Sequence, residues 1–137
     1  LKAPIEQKEQ ELIIDVPEDI FVYADRPMLD TVLRNLLSNA SKFTPRRGSI
    51  QVKAEADGDM AVVSVKDNGI GIPRDLIDKL FEIGVKTSRK GTEDEPSSGL
   101  GLILCKEFVE KNGGTLWLES TEGEGTTFYF TVPLIKI

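Results

Sequence analysis

The chain has 137 residues, of which 39% are hydrophobic and 29% charged, and its formal net charge is −6. This composition predicts one globular domain without an apolar run long enough to cross a membrane, and the negative charge argues against a nucleic-acid surface. The lack of histidine excludes Ser-His and Cys-His catalysis and histidine metal sites. Cys105 is the single cysteine, so no intrachain disulfide forms; we interpret it as a core residue in a reducing compartment. Because the chain opens with Leu1 rather than methionine, we expect an excised domain or a processed fragment.

Two short strands, 11–16 and 20–23, are predicted first, separated by a turn. Asp25 is expected to cap a long helix with Pro27 in its first turn, and the helix should end before Pro45. The apolar side chains of this helix recur at steps of three and four residues and predict one buried face. They are Leu29, Leu33, Leu36, Ala40 and Phe43.

A polar stripe lies beside the apolar face of this helix. Asn35, Asn39 and Lys42 fall on one side, about a quarter turn away at about 100° per residue, whereas Ser41 is expected on the far side, facing water. Amide oxygens are hard neutral metal ligands, and an ammonium group is a point charge for phosphate. The stripe therefore fits a site for a metal ion and phosphates, and an ordinary buried helix with polar flanks is the alternative.

Strands 50–56 and 60–65 are predicted to form a hairpin through an Asp-Gly connection. The second strand runs into Asp67, whose carboxylate could accept a hydrogen bond from an exocyclic amine such as that of adenine. Gly69 and Gly71 follow and lack side chains, so a flat ring could approach the backbone. A plain glycine turn is the alternative. Residues 75–81 could form a short helix.

Residues 83–98 are polar and show no periodicity, which is typical of a lid or a disordered loop. Gly99 and Gly101 then open a helix, whose free N–H groups could cradle phosphate. The predicted apolar side of this helix consists of Leu100, Ile103, Leu104, Phe108 and Val109. Strands 115–119 and 126–132 follow. This order predicts an α+β fold: a two-layer sandwich of a mixed, mostly antiparallel sheet with about three helices on one face.

The ordered set of motifs, from about Glu11 to Leu134, resembles the ATP-binding catalytic domain of sensor histidine kinases. That family shares the Bergerat fold with type II topoisomerases, ninety-kilodalton heat-shock chaperones and MutL-type repair proteins. Residues 35–45 look like its asparagine box, 67–73 like its first glycine box and 80–82 like its phenylalanine box. Residues 98–102 look like the second glycine box, and 123–126 like a final one.

The resemblance implies roles for these residues. Asn39 would ligate Mg²⁺, Asn35 and Lys42 would hold the phosphate side, and Lys86 or Arg89 would contact the γ-phosphate. Asp67 would read the adenine amine. The remaining nucleotide-binding positions implied are Phe43 (for which a core role is the alternative), Gly69, Gly71, Ile72, Ser98, Gly99, Leu100, Gly101, Leu102 and Thr126. Ile72, Ile83, Leu104 and Phe130 could wall the pocket.

Asn35 stands where the hydrolysing relatives carry a glutamate that acts as general base for water. An amide takes no proton usefully, which favours transfer of the γ-phosphoryl group to another acceptor. The resemblance thus implies a cytoplasmic Mg·ATP-dependent kinase domain that phosphorylates a histidine on a separate dimerisation hairpin, with a response regulator downstream. It implies neither nucleic-acid binding nor membrane insertion of this domain. The alternative is a nucleotide-binding regulatory module of the same fold without phosphotransfer.

Overall fold

The structure is a computed structural model that describes residues 2–77, 79–80 and 100–135. Its helices are α1 (Lys2–Gln7), α2 (Arg26–Lys42), α3 (Arg74–Ile77) and α4 (Leu100–Lys111). Its strands are β1 (Glu11–Asp15), β2 (Ser49–Asp57), β3 (Met60–Asp67), β4 (Leu116–Thr121) and β5 (Gly125–Pro133).

The strands form one five-stranded sheet in the order β1-β2-β3-β5-β4. β1 runs parallel to β2, and every other neighbouring pair is antiparallel. The predicted hairpin joins β2 and β3, with Asp57 opposite Met60 and Gly58 at φ +61° in the turn. The mixed, mostly antiparallel sheet and the α+β fold class are therefore confirmed.

The core lies between one face of the sheet and the pair α2 and α4. Along β5, Phe128, Phe130 and Val132 are buried while the intervening residues are half-buried, so the pleat sends alternate side chains to the two faces. Phe130 and Leu36, both fully buried, meet in the core cluster. The opposite face of the sheet carries the stacked rings of Trp117 and Tyr129, whose centroids lie 5.3 Å apart.

The long helix α2 begins as predicted. Asp25 accepts a hydrogen bond from Met28 N at 3.0 Å, and Pro27 lies in the first turn, where a missing N–H costs little. The prediction for Ser41 is wrong, since this residue is 2% exposed and its Oγ donates to Gln10 Oε1 at 2.7 Å. The side of α2 that should face water at Ser41 is covered by the N-terminal segment.

Three further local predictions differ from the structure. Residues 20–23 form only one isolated bridge, between Val22 and Leu134, because a turn on one side and the Asp25 cap on the other leave no length for a strand. Helix α1 was not predicted. Of the predicted helix 75–81, residues 75–77 belong to the single turn α3 and residues 79–80 form a turn, whereas 78 and 81 lie outside the described residues. On α4 the buried side chains include Leu102 and Cys105, whereas Leu104 is 36% exposed and does not belong to the apolar side. The core role of Cys105 is confirmed.

Candidate functional site

The carboxylate of Asp67 is held at the end of β3. It is 6% exposed, and its Oδ1 accepts hydrogen bonds from Gly69 N at 2.9 Å and from Thr126 N at 3.3 Å. The antiparallel register sets Asp67 directly opposite Thr126 on β5. Two residues that lie 59 positions apart in the sequence are therefore brought together by sheet pairing, as a site built on both would require.

The glycines after Asp67 allow backbone segments to come close together. A Cβ on Gly69 would lie 2.1 Å from Phe43 O, and the next amide, Ile70 N, donates to that oxygen at 3.0 Å. Gly71 has φ +72°, and a Cβ there would lie 2.3 Å from Thr121 O. The glycine segment is thus packed between the end of α2 and the β4–β5 turn. The atoms that lie against Gly69 and Gly71 are backbone atoms of these two neighbouring segments.

Ser120 is a residue of this region that the sequence reading missed. Its Oγ accepts from Ile72 N at 2.8 Å, lies 2.8 Å from Thr126 Oγ1 and lies 3.1 Å from Gly125 O, to which it donates. It ties β4 and β5 to the far end of the glycine segment. Ser120 could have been predicted only from its position opposite Thr126 in the β4–β5 pair, and that position is not known until the strand register is known.

The polar stripe of α2 meets the start of α4. Asn35 Nδ2 donates to Thr31 O at 2.9 Å, one turn earlier in the same helix. This bond directs the other end of the amide toward α4, where a Cβ on Gly101 would lie only 2.9 Å from Asn35 Oδ1. A side chain of the asparagine box and a glycine of the second glycine box are therefore in contact across the helix pair.

Asn39 and Lys42 continue the stripe from Asn35 at steps of four and three residues, so they share a side of the helix. Both residues are partly exposed. Lys42 also occupies the last turn of α2, where a cation is favoured by the helix dipole whether or not a ligand binds.

The other predicted apolar positions are mostly core residues. Phe43 is 4% exposed, Ile72 2%, Leu102 7% and Phe130 0%. The structure therefore places Phe43 in the core, the alternative that the sequence left open. The predicted lid 83–98, with Lys86, Arg89 and Ser98, lies outside the described residues, as do Ile83, Gly99 and most of the phenylalanine box. Leu100 begins α4.

A cavity of about 500 Å³ borders the glycine segment. Its lining consists of Pro45, Asn68, Gly69, Ile70, Gly71, Pro73, Glu122 and Gly123. Neither Asp67 nor the polar stripe of α2 belongs to that lining; Asp67, Ser120 and Thr126 line a second cavity, of about 330 Å³.

The donor set suits Mg²⁺ bound together with phosphates. Within residues 2–77, 79–80 and 100–135, no group of three or more Cys, Asp or Glu side chains could hold a metal ion. Mg²⁺ commonly takes one or two protein oxygens and completes its shell with water and substrate phosphates. One amide oxygen, that of Asn39, fits this pattern. In the described part of the chain, no helix is long and apolar enough to span a membrane.

Comparisons with known proteins identify the family of this chain. A family model described as histidine kinase-, DNA gyrase B- and HSP90-like ATPase matches residues 24–136. The adaptive-response sensory kinase SasA of Synechococcus elongatus is 40% identical over 131 residues, covering 94% of this chain and 33% of that protein. The sensor histidine kinase WalK of Bacillus subtilis is 37% identical over 131 residues, covering 92% of this chain and 21% of that protein. The chain thus spans a third or less of these relatives.

Solved structures show the same fold. The catalytic domain of histidine kinase ThkA has a TM-score of 0.81 and 32% identity, covering 96% of this chain and 84% of that chain. ThkA in complex with the response regulator protein TrrA has a TM-score of 0.77 and 29% identity, covering 98% of this chain and 37% of that one. The chain therefore belongs to the histidine kinase-, DNA gyrase B- and HSP90-like ATPase family, among the catalytic domains of sensor histidine kinases.

Proposed function

We propose that this domain binds ATP with Mg²⁺ and transfers the γ-phosphoryl group to a histidine on a separate dimerisation hairpin. The observation that carries the proposal is the contact between Asn35 and Gly101, because it joins the asparagine box to the helix start that would hold phosphate. The chain contains no histidine, so the acceptor must lie elsewhere.

The adenine end of the nucleotide is assigned to Asp67. A carboxylate offers about four lone-pair positions, and the backbone bonds from Gly69 and Thr126 hold this one in a fixed orientation. A carboxylate oriented in this way can also accept a bond from the exocyclic amine of adenine. Guanine has a carbonyl oxygen at the equivalent ring position, which a carboxylate would repel, so the site should prefer adenine.

The phosphate end is assigned to the polar stripe of α2 and the first turn of α4. The N–H groups at the start of α4 have no partner within the helix and carry partial positive charge, which favours an anion. Lys42 adds a full positive charge, and Asn39 offers a neutral oxygen to Mg²⁺. Asn39 would hold the ion, and Mg²⁺ would supply positive charge that offsets the negative charge developing on the phosphates during transfer.

Asn35 decides between transfer and hydrolysis in this proposal. Its amide is held by Thr31 O and cannot take a proton from water, so the residue positions groups without activating a nucleophile. A histidine side chain is itself nucleophilic at neutral pH and needs orientation rather than a strong base. The geometry therefore supports kinase chemistry.

The relatives suggest the partners. Since the sequence spans a third or less of SasA and WalK, we propose that the sensor and the acceptor hairpin belong to the rest of the parent protein. ThkA has been solved with the response regulator protein TrrA, and we propose an aspartate of a response regulator as the downstream acceptor here. Such a relay consumes ATP and would operate in the cytoplasm.

The first test is calorimetric titration of ATP into the domain with and without Mg²⁺. Wild type should bind, Asp67→Asn should lose most of the affinity, and Asn39→Ala should bind with little dependence on Mg²⁺. Asp15→Ala, a change of an exposed carboxylate on β1, is the matched control and should bind like wild type. Failure of wild type to bind would refute the proposal at its first step.

The second test is transfer of labelled phosphate from ATP to the parent's histidine hairpin, supplied in trans. Labelled hairpin supports the kinase, whereas ATP binding without labelling supports the regulatory module. Release of free phosphate by Asn35→Glu, but not by wild type, would support the role given to Asn35. Rapid hydrolysis by wild type would contradict it.

A further inference from the structure

The N-terminal segment, Ile5–Gln10, buries two polar side chains against the end of α2. Lys8 is 4% exposed and Gln10 is 8% exposed. Lysine and glutamine are seldom buried to this extent unless their polar atoms are paired. Neither residue belongs to a motif recognised in the sequence, so their burial calls for a structural explanation.

Both side chains donate to carbonyl groups in the last turn of α2 and just beyond it. The last four carbonyls of a helix have no partner within it. Lys8 Nζ donates to Ser41 O at 2.8 Å and lies 3.5 Å from Lys42 O. Gln10 Nε2 donates to Ser41 O at 3.0 Å and to Thr44 O at 2.8 Å, while its Oε1 accepts from Ser41 Oγ. The positive charge of Lys8 also complements the negative end of the helix dipole.

The turn that is capped in this way is part of the candidate site. It carries Lys42 from the polar stripe, and it continues directly into Phe43, whose carbonyl accepts from Ile70 N at 3.0 Å. That same carbonyl is the atom against which Gly69 packs without a side chain. A shift of this turn would therefore move the cationic group and the glycine segment together.

We propose that Lys8 and Gln10 are positioning residues of the nucleotide site, acting through the last turn of α2. The proposal rests on the proposed function for the identity of the ligand. Its mechanical part, the link from the cap to the glycine segment, concerns the nucleotide-free protein and can be measured separately. A purely structural role would lower stability but leave the affinity of the folded protein unchanged.

The test uses three variants of graded severity. Lys8→Met removes the charge at similar length, Gln10→Glu keeps the shape but turns an oxygen toward carbonyl oxygens, and Ser41→Ala removes one hydroxyl only. Lys53→Met and Gln51→Glu change the same residue types on β2, where both are more exposed, and serve as controls. Ser41→Ala keeps the test available should either of the other two fail to fold.

Two quantities are measured well below the unfolding temperature. Amide exchange at Ile70 in the nucleotide-free domain should accelerate in Lys8→Met and Gln10→Glu, and less in Ser41→Ala. The dissociation constant for ATP with Mg²⁺ should rise about fivefold or more in the first two variants, the lower end of typical coupling between sites. Lys8→Arg keeps a cationic hydrogen-bond donor at this position, so it should bind ATP more tightly than Lys8→Met does.

The outcomes separate the two proposals. If wild type binds ATP and all three variants bind equally well, the positioning role is overturned and the proposed function stands. If wild type does not bind, the proposed function fails, and the exchange at Ile70 then decides the mechanical link alone: faster exchange in the variants supports it, and unchanged exchange overturns it. Equal losses of affinity in Lys53→Met and Gln51→Glu would also overturn the positioning role, because these two residues alternate along β2 with the buried core residues and point to the other face of the sheet.

Discussion

Substituting Gly101 tests whether the two boxes meet as the structure describes. Gly101→Ala places a Cβ 2.9 Å from Asn35 Oδ1 and 3.4 Å from Asn35 Cγ. The first distance is shorter than real Cβ contacts, so the Asn35 amide must swing away. The informative experiment is a double-mutant cycle, in which Gly101→Ala is made both in wild type and in Asn35→Ala.

The expected energies follow from two opposing effects. Alanine is more favourable than glycine in a helix interior by about 1 kcal/mol, and somewhat less in a first turn. When the Asn35 amide swings away, its bond to Thr31 O is lost, at a cost of about 0.5–1.5 kcal/mol. In wild type the two effects nearly cancel. In the Asn35→Ala background there is no amide to displace, so only the stabilisation from the higher helix propensity of alanine remains. The coupling energy between the two substitutions should therefore be about 1 kcal/mol.

Urea unfolding of the four proteins measures this coupling, and ATP titration of the same samples measures its effect on the site. Gly101→Ala should keep near wild-type stability yet bind ATP more weakly, because the displaced amide would enter the phosphate side. A coupling energy below about 0.3 kcal/mol, which is typical of independent sites, would refute the contact. Unchanged ATP affinity in Gly101→Ala would refute its place in the site.

Gly71→Ala should destabilise the domain by about 2 kcal/mol or more, because it combines left-handed backbone strain with a Cβ placed 2.3 Å from Thr121 O. Gly58→Ala is the matched control, because Gly58 has φ +61° but no atom lies within 4 Å of the new Cβ. Urea unfolding should show a smaller loss in the free energy of unfolding for Gly58→Ala than for Gly71→Ala, and equal losses would contradict the clash with Thr121 O. Burial raises the pKa of the Cys105 thiol from 9.0 to about 12, so at neutral pH an alkylating reagent should label native protein far more slowly than unfolded protein. Equal labelling rates in native and unfolded protein would contradict the burial of Cys105. Since the folded state favours the neutral thiol, the contribution of Cys105 to the free energy of unfolding is complete below pH 9 and is lost as pH rises from 9 toward 12.

The parts of the site that could be predicted were those with a local signal. The stripe of Asn35, Asn39 and Lys42 follows from helical periodicity alone, and the cap at Asp25 follows from residue type and the nearby proline. The end of β3 at Asp67 was also expected, because two glycines follow within four residues. In each case the relevant neighbours lie within about one helical turn or one strand.

The wrong predictions concerned residues whose surroundings are set by distant segments. Ser41 has a water-facing position on an isolated helix, but Gln10, 31 residues earlier, covers it. Residues 20–23 have strand-like composition, yet the sheet offers them only a single bridge at Val22. Leu104 fits an apolar helix pattern, but the way α4 packs on α2 and the sheet turns Cys105 inward instead.

By itself, the sequence determined the types and order of the elements and the chemistry of each box, because hydrophobic periodicity, capping and turn preferences act over a few residues. Only the tertiary structure decided that Asp67 faces Thr126, that Asn35 touches Gly101 and that Lys8 caps α2. These contacts depend on strand register and helix packing. Both are selected by burial of the shared core, and no short stretch of sequence encodes that burial alone.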